Sequence, residues 1–487
     1  MRDLLLQSAC ALRARLLARE ISARELLAAT LAQIERVNPT LNAIVERDLV
    51  AAEKAADESD ARIARGSARP LEGLPITIKD SFEVAGMVTA SGAPALRAHR
   101  PPADASAVAR LRHAGANIFG KTNVPIFTGD FQSFNPVYGT TNNPWDVTRT
   151  PGGSSGGAAA AVATGMTAFE LGSDLGGSIR WPAHACGVFG LKTSWNLVST
   201  YGHIPPPLHR RPARNPDLLV AGPIARSAAD LALVLGSLAG PRDPNANAPA
   251  LTPARKLGPE GLRVAVWLDE PMAPVDATVA AAVREAANRL ADAGAVIDMN
   301  ARPAFPFAES WEVFALLNQA VVGYGLPARL RDKIAAQARK FSANDLSHQA
   351  LQARGINLAP GAYQALDLRR RHLRRQWAHL FTKFDVVLCP PAPVGAFAHD
   401  QSADIHARRL IINGEAKPYM DLMIWAGLAT VADLPAAAAP MLIAPDGLPR
   451  GVQIIAAAGE DLTAVAVAAM IENINGGFVA PPIAAAP

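Results

Sequence analysis

Cysteine is scarce in this sequence, and long apolar runs are missing from it. The 487 residues include three cysteines, Cys10, Cys186 and Cys389, which are far apart along the chain. An odd and scattered set argues against a disulfide framework and is typical of a reducing compartment. No uninterrupted apolar stretch reaches bilayer length, and three arginines between residues 13 and 19 break the apolar run near the N-terminus. These absences predict a cytoplasmic protein without a membrane span or a secretion signal.

Charged residues are also few. They make up 18% of the chain against 50% hydrophobic residues, which is the composition of a compact globular enzyme rather than of a disordered chain. The formal net charge of +4 is small for this length. The densest basic run, Arg369 to Arg371 with Arg374 and Arg375, shares its stretch with apolar residues at helical spacing. It predicts a solvated helix face, and we expect no nucleic-acid partner.

Clusters of metal-binding residues and phosphate-binding loops are lacking as well. His184 and Cys186 form a metal-like pair, but no further histidine or cysteine stands at a suitable spacing. The glycine-rich loops run into alanines, whereas a P-loop continues into Lys-Ser or Lys-Thr. We therefore expect neither a metal ion nor a cofactor.

What the sequence does contain is an alternation of helix and strand patterns. A capping box of Ser22 and Glu25 starts an amphipathic helix that we expect to end at Pro39. A strand over 73–78, a helix over 106–114 and a strand over 116–119 follow. Residues 123–153 are rich in Asn, Pro, Gly and Thr, and loops of such length are commonly functional.

The second half continues this α/β pattern after a Pro- and Asn-rich segment, residues 240–258, that is predicted to be an exposed linker. Residues 263–299 are predicted to form strand, helix and strand, and 308–353 and 363–381 longer helices. Strands at 385–388 and 452–455 should return to the same sheet.

Three residues could build an acyl-transfer site. Ser154 and Ser178 each lie in a glycine-rich loop, and Lys79 ends a short apolar stretch. A serine needs a base to act as a nucleophile, and backbone amides of a glycine turn can stabilise the oxyanion. A lysine serves as base only when burial keeps it neutral. Spacing alone does not bring the three together, so the loops could equally be plain turns.

The wider sequence closely resembles the amidase signature family of serine hydrolases. The resemblance begins at Glu25, includes both serine loops and the lysine stretch, and covers nearly the whole chain. Further matching motifs are Lys121–Pro125, Asn142–Trp145, Cys186–Lys192, Gly222–Arg226 and Asp446–Gln453. It implies an α/β fold with a mixed central sheet covered by helices on both faces. It also implies one domain over 1–487, catalytic over about 60–240 and covering the pocket over about 259–487.

The resemblance further implies a Ser-cisSer-Lys triad. Ser178 would be the nucleophile that carries the acyl group, Ser154 the cis-peptide serine that relays the proton, and Lys79 the base. The backbone amides of residues 175–178, namely Leu175, Gly176, Gly177 and Ser178, would form the oxyanion hole. Ser155, Asp174 and Arg180 would support the triad, and Thr128 would line the acyl pocket.

Two positions depart from the family pattern and concern the substrate. Thr193 replaces the usual proline after Gly-Leu-Lys, and Trp181 replaces the glutamine common in the glutamine-using branch. Together with the aromatic run from Phe305 to Phe314, Trp181 favours a neutral, apolar or aryl amide, with esters and carbamates (urethanes) as related substrates. The expected partner is this small molecule, with homodimerisation left open.

Three other interpretations are weaker. Gly152-x-Ser154-x-Gly156 matches a nucleophile elbow, but no strand precedes it, and His399 and His406 stand in undistinctive settings. A non-catalytic scaffold is disfavoured because all three triad positions are filled. A glutamine-using amidotransferase subunit working in a complex is the main alternative.

Overall fold

The computed structural model describes residues 2–205, 215–243 and 250–485. Residues 244–249 of the predicted linker lie outside the described residues. Among the helices of the described ranges, none combines the length and the apolar composition needed to cross a bilayer.

The described strands, in chain order, are β1 (Ile44–Arg47), β2 (Pro75–Lys79), β3 (Asn117–Thr122), β4 (Phe134–Asn135), β5 (Gly139–Thr140), β6 (Glu170–Asp174), β7 (Phe189–Lys192), β8 (Val220–Ala225), β9 (Arg263–Val266), β10 (Val296–Asp298), β11 (Val386–Cys389), β12 (Arg409–Ile412), β13 (Glu415–Pro418), β14 (Ala436–Ile443) and β15 (Pro449–Ala456).

The described helices are α1 (Arg2–Leu5), α2 (Ala9–Leu17), α3 (Ala23–Leu41), α4 (Leu49–Ala64), α5 (Ser106–His113), α6 (Gly156–Ala163), α7 (Arg180–Cys186), α8 (Ala228–Leu238), α9 (Ala277–Asp292), α10 (Phe307–Tyr324), α11 (Ala328–Ala335), α12 (His348–Gly355), α13 (Pro360–Lys383), α14 (Ile424–Val431), α15 (Asp461–Asn475) and α16 (Pro482–Ala485).

Eleven of these strands form one mixed sheet in the order β1-β3-β2-β6-β8-β7-β14-β15-β11-β9-β10. Strands β2 and β6 run parallel, whereas β14 and β15 form an antiparallel pair. The pair β14–β15 lies between β7, from the motif-bearing half, and β11, from the second half. Both halves of the chain therefore contribute to the same sheet.

Helices cover both faces of the sheet, as the alternation along β14 shows. Ala437 and Ala439 pack into a core with residues of α9 and α15. Ala438 packs on the opposite face with Ala183 and Cys186 of α7. The predicted α/β fold with a mixed central sheet is confirmed.

Several element boundaries differ from the predicted ones. Helix α3 keeps the predicted capping box but runs past Pro39 to Leu41. Pro39 removes one backbone donor, and the helix is closed beyond it by Asn42, whose amide donates to the Asn38 carbonyl at 2.7 Å. The helix predicted over 308–353 is divided into α10, α11 and α12, with a break at Gly325 and Pro327. In the basic run on α13, Arg370 is buried and ion-paired with Asp217 rather than solvated.

Candidate active site

The parallel pairing of β2 and β6 places the candidate catalytic groups at one edge of the sheet. Ile78 pairs with Leu171, so Lys79 at the end of β2 lies beside the last residues of β6. The loop carrying Ser178 begins directly after β6. Carboxyl ends of parallel strands share one edge, which brings a lysine and a serine 99 positions apart in sequence into one site.

Lys79 is fully buried and surrounded by serine side chains. Its Nζ lies 2.8 Å from Ser154 Oγ, 2.8 Å from Ser155 Oγ and 2.9 Å from Ser173 Oγ. Burial lowers the pKa of this lysine to about 7, although the charges of Asp174 and Glu170 oppose the shift. An amine with this pKa is available as a base near neutral pH.

The loop before Ser154 depends on close backbone contact. The peptide bond between Gly153 and Ser154 is cis, as the resemblance implies. A Cβ atom on Gly153 would lie 2.7 Å from the Gln132 nitrogen, so only glycine fits here. The Ser155 amide donates a hydrogen bond of 3.2 Å to the Ser178 carbonyl, which ties the two serine loops together.

Ser154 and Ser178 both line a cavity of about 940 Å³. Ser154 is 1% exposed and Ser178 is 9% exposed, so the second serine is the more accessible to a substrate. Between these two described side chains no hydrogen bond is formed. In free enzymes such contacts are often long and shorten when substrate binds. The greater exposed fraction of Ser178 suits it as the serine that contacts the substrate.

The turn between β6 and Ser178 supplies backbone N–H groups. Gly177 has a φ of +110°, and a Cβ there would lie 3.1 Å from the Ala426 Cβ, so a side chain is disfavoured on both grounds. The Gly177 amide, expected in the oxyanion hole, donates instead to Asp174 Oδ1 at 2.8 Å. The amides of Leu175, Gly176 and Ser178 have no acceptor within the described ranges and remain candidates for oxyanion binding.

Asp174 and Arg180 brace this turn from behind. The Arg180 guanidinium donates to both carboxylate oxygens of Asp174, at 3.0 and 2.8 Å, while the Ile179 amide donates to Oδ2 at 3.1 Å. Both side chains are fully buried. Burial alone would raise the pKa of Asp174, but the charge and hydrogen bonds of Arg180 outweigh it and lower the pKa to about 2.

This buried pair leads to a stability prediction. Asp174→Asn leaves Arg180 without its counter-charge, and breaking a buried pair typically costs about 3–5 kcal/mol. We expect the free energy of unfolding, measured by urea denaturation at pH 7, to fall by that amount. Because the folded pKa of Asp174 lies below the unfolded one, its contribution should disappear as pH falls from 4 towards 2, and the variant should lose this dependence.

The matched control for this prediction is Asp269→Asn, which breaks an exposed arginine–aspartate contact of 3.7 Å with Arg284. Exposed pairs contribute about 0–1 kcal/mol. Equal losses for the two variants would contradict a bracing role for Asp174.

Thr128 lines the cavity, where the sequence resemblance places it. It follows Phe127, and both residues have a left-handed backbone, with φ of +49° at Phe127 and +59° at Thr128. The rest of the wall is mostly apolar and comes from distant parts of the chain, notably α10 and the segment after α12; its apolar members include Leu96, Ile126, Ile204, Leu219, Val321, Val322, Leu326, Ile356 and Leu358.

Trp181 and the aromatic run lie elsewhere than expected. The Trp181 indole is 1% exposed, donates to the Phe131 carbonyl at 2.9 Å and stacks on Phe397 with ring centroids 5.8 Å apart. Phe305, Phe307, Trp311 and Phe314 pack in the same hydrophobic core. None of these side chains lines the cavity, and the expectation that they do is corrected: each finds its partners inside the core.

Two polar residues of the site were missed by sequence reasoning. Ser173, 2% exposed, contacts Lys79, and His203 contacts Ser173 with Nε2 2.9 Å from Oγ. Both line the cavity. The only signal was that Ser173 precedes Asp174 within the second serine loop, while His203 stands in a segment without a distinctive motif.

Comparison with known proteins agrees with the sequence resemblance. The Amidase family model matches residues 25–465. A glutamyl-tRNA(Gln) amidotransferase subunit of Anaeromyxobacter dehalogenans (strain 2CP-C) is 34% identical, over 96% of this chain and 95% of that protein.

Among solved structures, a bacterial aryl acylamidase of the amidase signature family has a TM-score of 0.81 at 25% identity, with 99% of each chain covered. The 6-aminohexanoate cyclic dimer hydrolase, complexed with substrate, has a TM-score of 0.77 at 25% identity and the same coverage. The chain belongs to the amidase signature family, whose enzymes act on carbon–nitrogen bonds.

Proposed function

We propose that this protein hydrolyses the C–N bond of an amide with a neutral, largely apolar or aryl body, through an acyl-enzyme on Ser178. The observation that carries the proposal is the contact of 2.8 Å between the buried Lys79 amine and Ser154, on the wall of a cavity that also exposes Ser178. A base, a relay and an accessible hydroxyl are the groups that serine acyl transfer needs.

The proposed reaction proceeds in two halves. Ser178 Oγ attacks the amide carbonyl, its proton passes to Ser154 Oγ, and the Ser154 proton passes to Lys79 Nζ. Amides of the β6–α7 turn stabilise the oxyanion. The C–N bond then breaks, and the proton returns from Lys79 through Ser154 to the leaving amine. Water repeats the attack on the acyl-enzyme and releases the acid and free Ser178. Esters and carbamates offer the same carbonyl to this site.

The wall of the cavity supports an apolar substrate. Apart from the serines, most described lining residues are apolar, and Phe127, Tyr324 and Tyr363 contribute phenyl or phenol rings. Arg331 is the one cation on the described wall, and its Nε has no hydrogen-bond partner within the described ranges. An acceptor such as an ester, ether or carbonyl oxygen on the substrate would satisfy it.

A second candidate function is glutamine hydrolysis within an amidotransferase complex. It is favoured by the 34% identity to a protein named as a glutamyl-tRNA(Gln) amidotransferase subunit. The acidic groups of the cavity give it little support, because a free carboxylate would be the strongest partner for the α-ammonium group of glutamine. Asp217 is the one acid on the described wall, and Arg370 NH1 already donates to its two oxygens at 2.8 and 2.7 Å.

A hydrolysis panel tests the choice of substrate. An apolar group is typically worth about 1–3 kcal/mol in discrimination, so an aryl amide should exceed acetamide in kcat/KM by roughly ten- to a hundredfold. Ala320→Phe, which narrows the cavity at α10, should reduce the rate on the aryl amide and spare acetamide. Ser178→Ala is the negative control and should hydrolyse none of the substrates above background.

Glutamine should be a poor substrate in the same panel. Were glutamine the best substrate, or were activity absent until a partner protein was added, the amidotransferase function would replace the one proposed.

A further inference from the structure

His203 is a buried histidine in contact with the site that the proposed mechanism does not use. It follows β7, lines the cavity and is 5% exposed. Phe82 packs edge-on against its ring, with centroids 4.8 Å apart. Its two nitrogens lie 3.0 Å from the Pro205 carbonyl (Nδ1) and 2.9 Å from Ser173 Oγ (Nε2). Both ring nitrogens therefore have a hydrogen-bond partner.

The Pro205 carbonyl fixes the tautomer of this ring. A carbonyl oxygen only accepts, so Nδ1 must carry the hydrogen that is donated to it. Burial, with a smaller contribution from the nearby Lys79, lowers the pKa of His203 to about 3, although the hydrogen bond to the Pro205 carbonyl opposes the shift. The ring is neutral at ordinary pH, which leaves Nε2 as a bare acceptor that faces Ser173.

The bare Nε2 in turn orients the Ser173 hydroxyl. A serine has one O–H hydrogen, and here it is donated to His203. Towards Lys79, at 2.9 Å, Ser173 Oγ can only accept. One N–H of the lysine is thus committed to Ser173.

A second N–H of the lysine is committed to Ser155. The Ser155 hydroxyl donates to the Ser173 carbonyl at 3.4 Å, so its oxygen accepts from Lys79 at 2.8 Å. The same carbonyl lies 3.4 Å from Lys79 Nζ and is a second, more distant acceptor for the lysine N–H that Ser155 receives. A neutral amine has two N–H hydrogens and one lone pair. With both hydrogens used, the lone pair is left for Ser154, 2.8 Å away.

We propose that His203 is a positioning residue: through Ser173 it fixes the direction of the hydrogen bonds at Lys79, so that the lysine lone pair faces Ser154. The inference rests on the proposed role of Lys79 as the base. Without His203, the Ser173 hydroxyl is free to donate into the lysine lone pair and to compete with Ser154 for it. The charged groups acting on Lys79 from neighbouring strands, Asp174 and Glu170, are unchanged by loss of the histidine.

The test uses the rate at which a fluorophosphonate labels Ser178, because this reports activation of the nucleophile without a known substrate. His203→Phe should lower the labelling rate roughly 10- to 100-fold, part of what a general base contributes. In this variant the pH below which labelling slows, the acidic limb of the rate profile, should move to a lower value. The reason is that a Ser173 hydroxyl that donates to the neutral lysine amine favours the neutral form. His203→Gln, whose amide oxygen can accept from Ser173, should restore most of the rate and the limb.

A double-mutant cycle with Ser173→Ala separates positioning from packing. If His203 acts through Ser173, His203→Phe should add little to the loss already caused by Ser173→Ala. His184→Phe is the matched control, since His184 is also buried and neutral but lies outside the cavity wall. His184→Phe should leave the acidic limb of the labelling-rate profile at the pH of the unmodified protein.

Independent, multiplicative losses in the cycle, or an acidic limb that His203→Phe does not move, would overturn the inference. Absence of labelling at Ser178 in the unmodified protein would instead overturn the proposed function. Circular dichroism of each variant checks that the fold is intact.

Discussion

Ser178→Ala is expected to lower the turnover of any amide substrate by roughly 10⁴- to 10⁶-fold, the range typical for removal of a serine nucleophile. The reason is that no other hydroxyl takes its place: Ser154 is less exposed than Ser178 and already contacts Lys79. Steady-state rates on the best substrate of the panel measure the effect. Ser402→Ala, at an exposed serine away from the cavity, is the control and should retain full activity.

Mass spectrometry of the labelled protein gives the same prediction a second readout. A fluorophosphonate should modify one peptide, at Ser178, and the Ser178→Ala variant should stay unlabelled. Modification at Ser154 instead would support the nucleophile-elbow interpretation of the first glycine loop.

Lys79→Met should reduce turnover by about 10²- to 10⁴-fold, the contribution of a positioned general base. In the unmodified protein, kcat/KM should fall as pH drops through about 7, because protonation of the buried amine removes its lone pair. The methionine variant has no such group, so this acidic limb should flatten. A pH series from 5 to 9 on one substrate measures both effects.

Lys192→Met provides the matched control for the lysine. Lys192 is also fully buried, and burial lowers its pKa to about 8, but it donates to the Leu434 carbonyl outside the cavity wall. Its replacement should leave the acidic limb unchanged. If Lys79→Met kept both the rate and the limb, Lys79 could not be the base.

The candidate catalytic residues could be singled out from their sequence motifs, but their convergence was implied by the family resemblance and did not follow from the patterns of the chain itself. Lys79, Ser154 and Ser178 stand in motifs that are recognisable by residue type alone. Their meeting depends on the parallel pairing of β2 with β6, which are about 90 residues apart in sequence, since Thr77 pairs with Glu170. Hydrophobic patterns identify strands and say little about which strands are neighbours.

Side-chain partners were the harder part to predict. Trp181 was expected at the substrate because it stands beside the catalytic loop in sequence. It lies in the core instead, where its indole donates to the Phe131 carbonyl and stacks on Phe397. The Gly177 amide was assigned to the oxyanion and is taken by Asp174, a local competition that a motif does not reveal. His203 was missed because its contact with Ser173 spans 30 residues and leaves no periodic signal.

The long-range hydrogen bonds of Arg180 determine when, during synthesis of the chain, its contacts can all form. Its guanidinium donates to the Ala426 carbonyl, to Thr430 and to Gln453, the last of them 273 residues further along the chain. At about 5–20 residues per second, a ribosome needs roughly 15–55 s to reach Gln453 after making the arginine. During that interval Arg180 lacks its partners on α14 and β15, and the local contacts with Asp174 alone brace the turn beside Ser178. The full set of contacts around this arginine therefore forms only after β15, the last strand of the sheet in chain order, has been made.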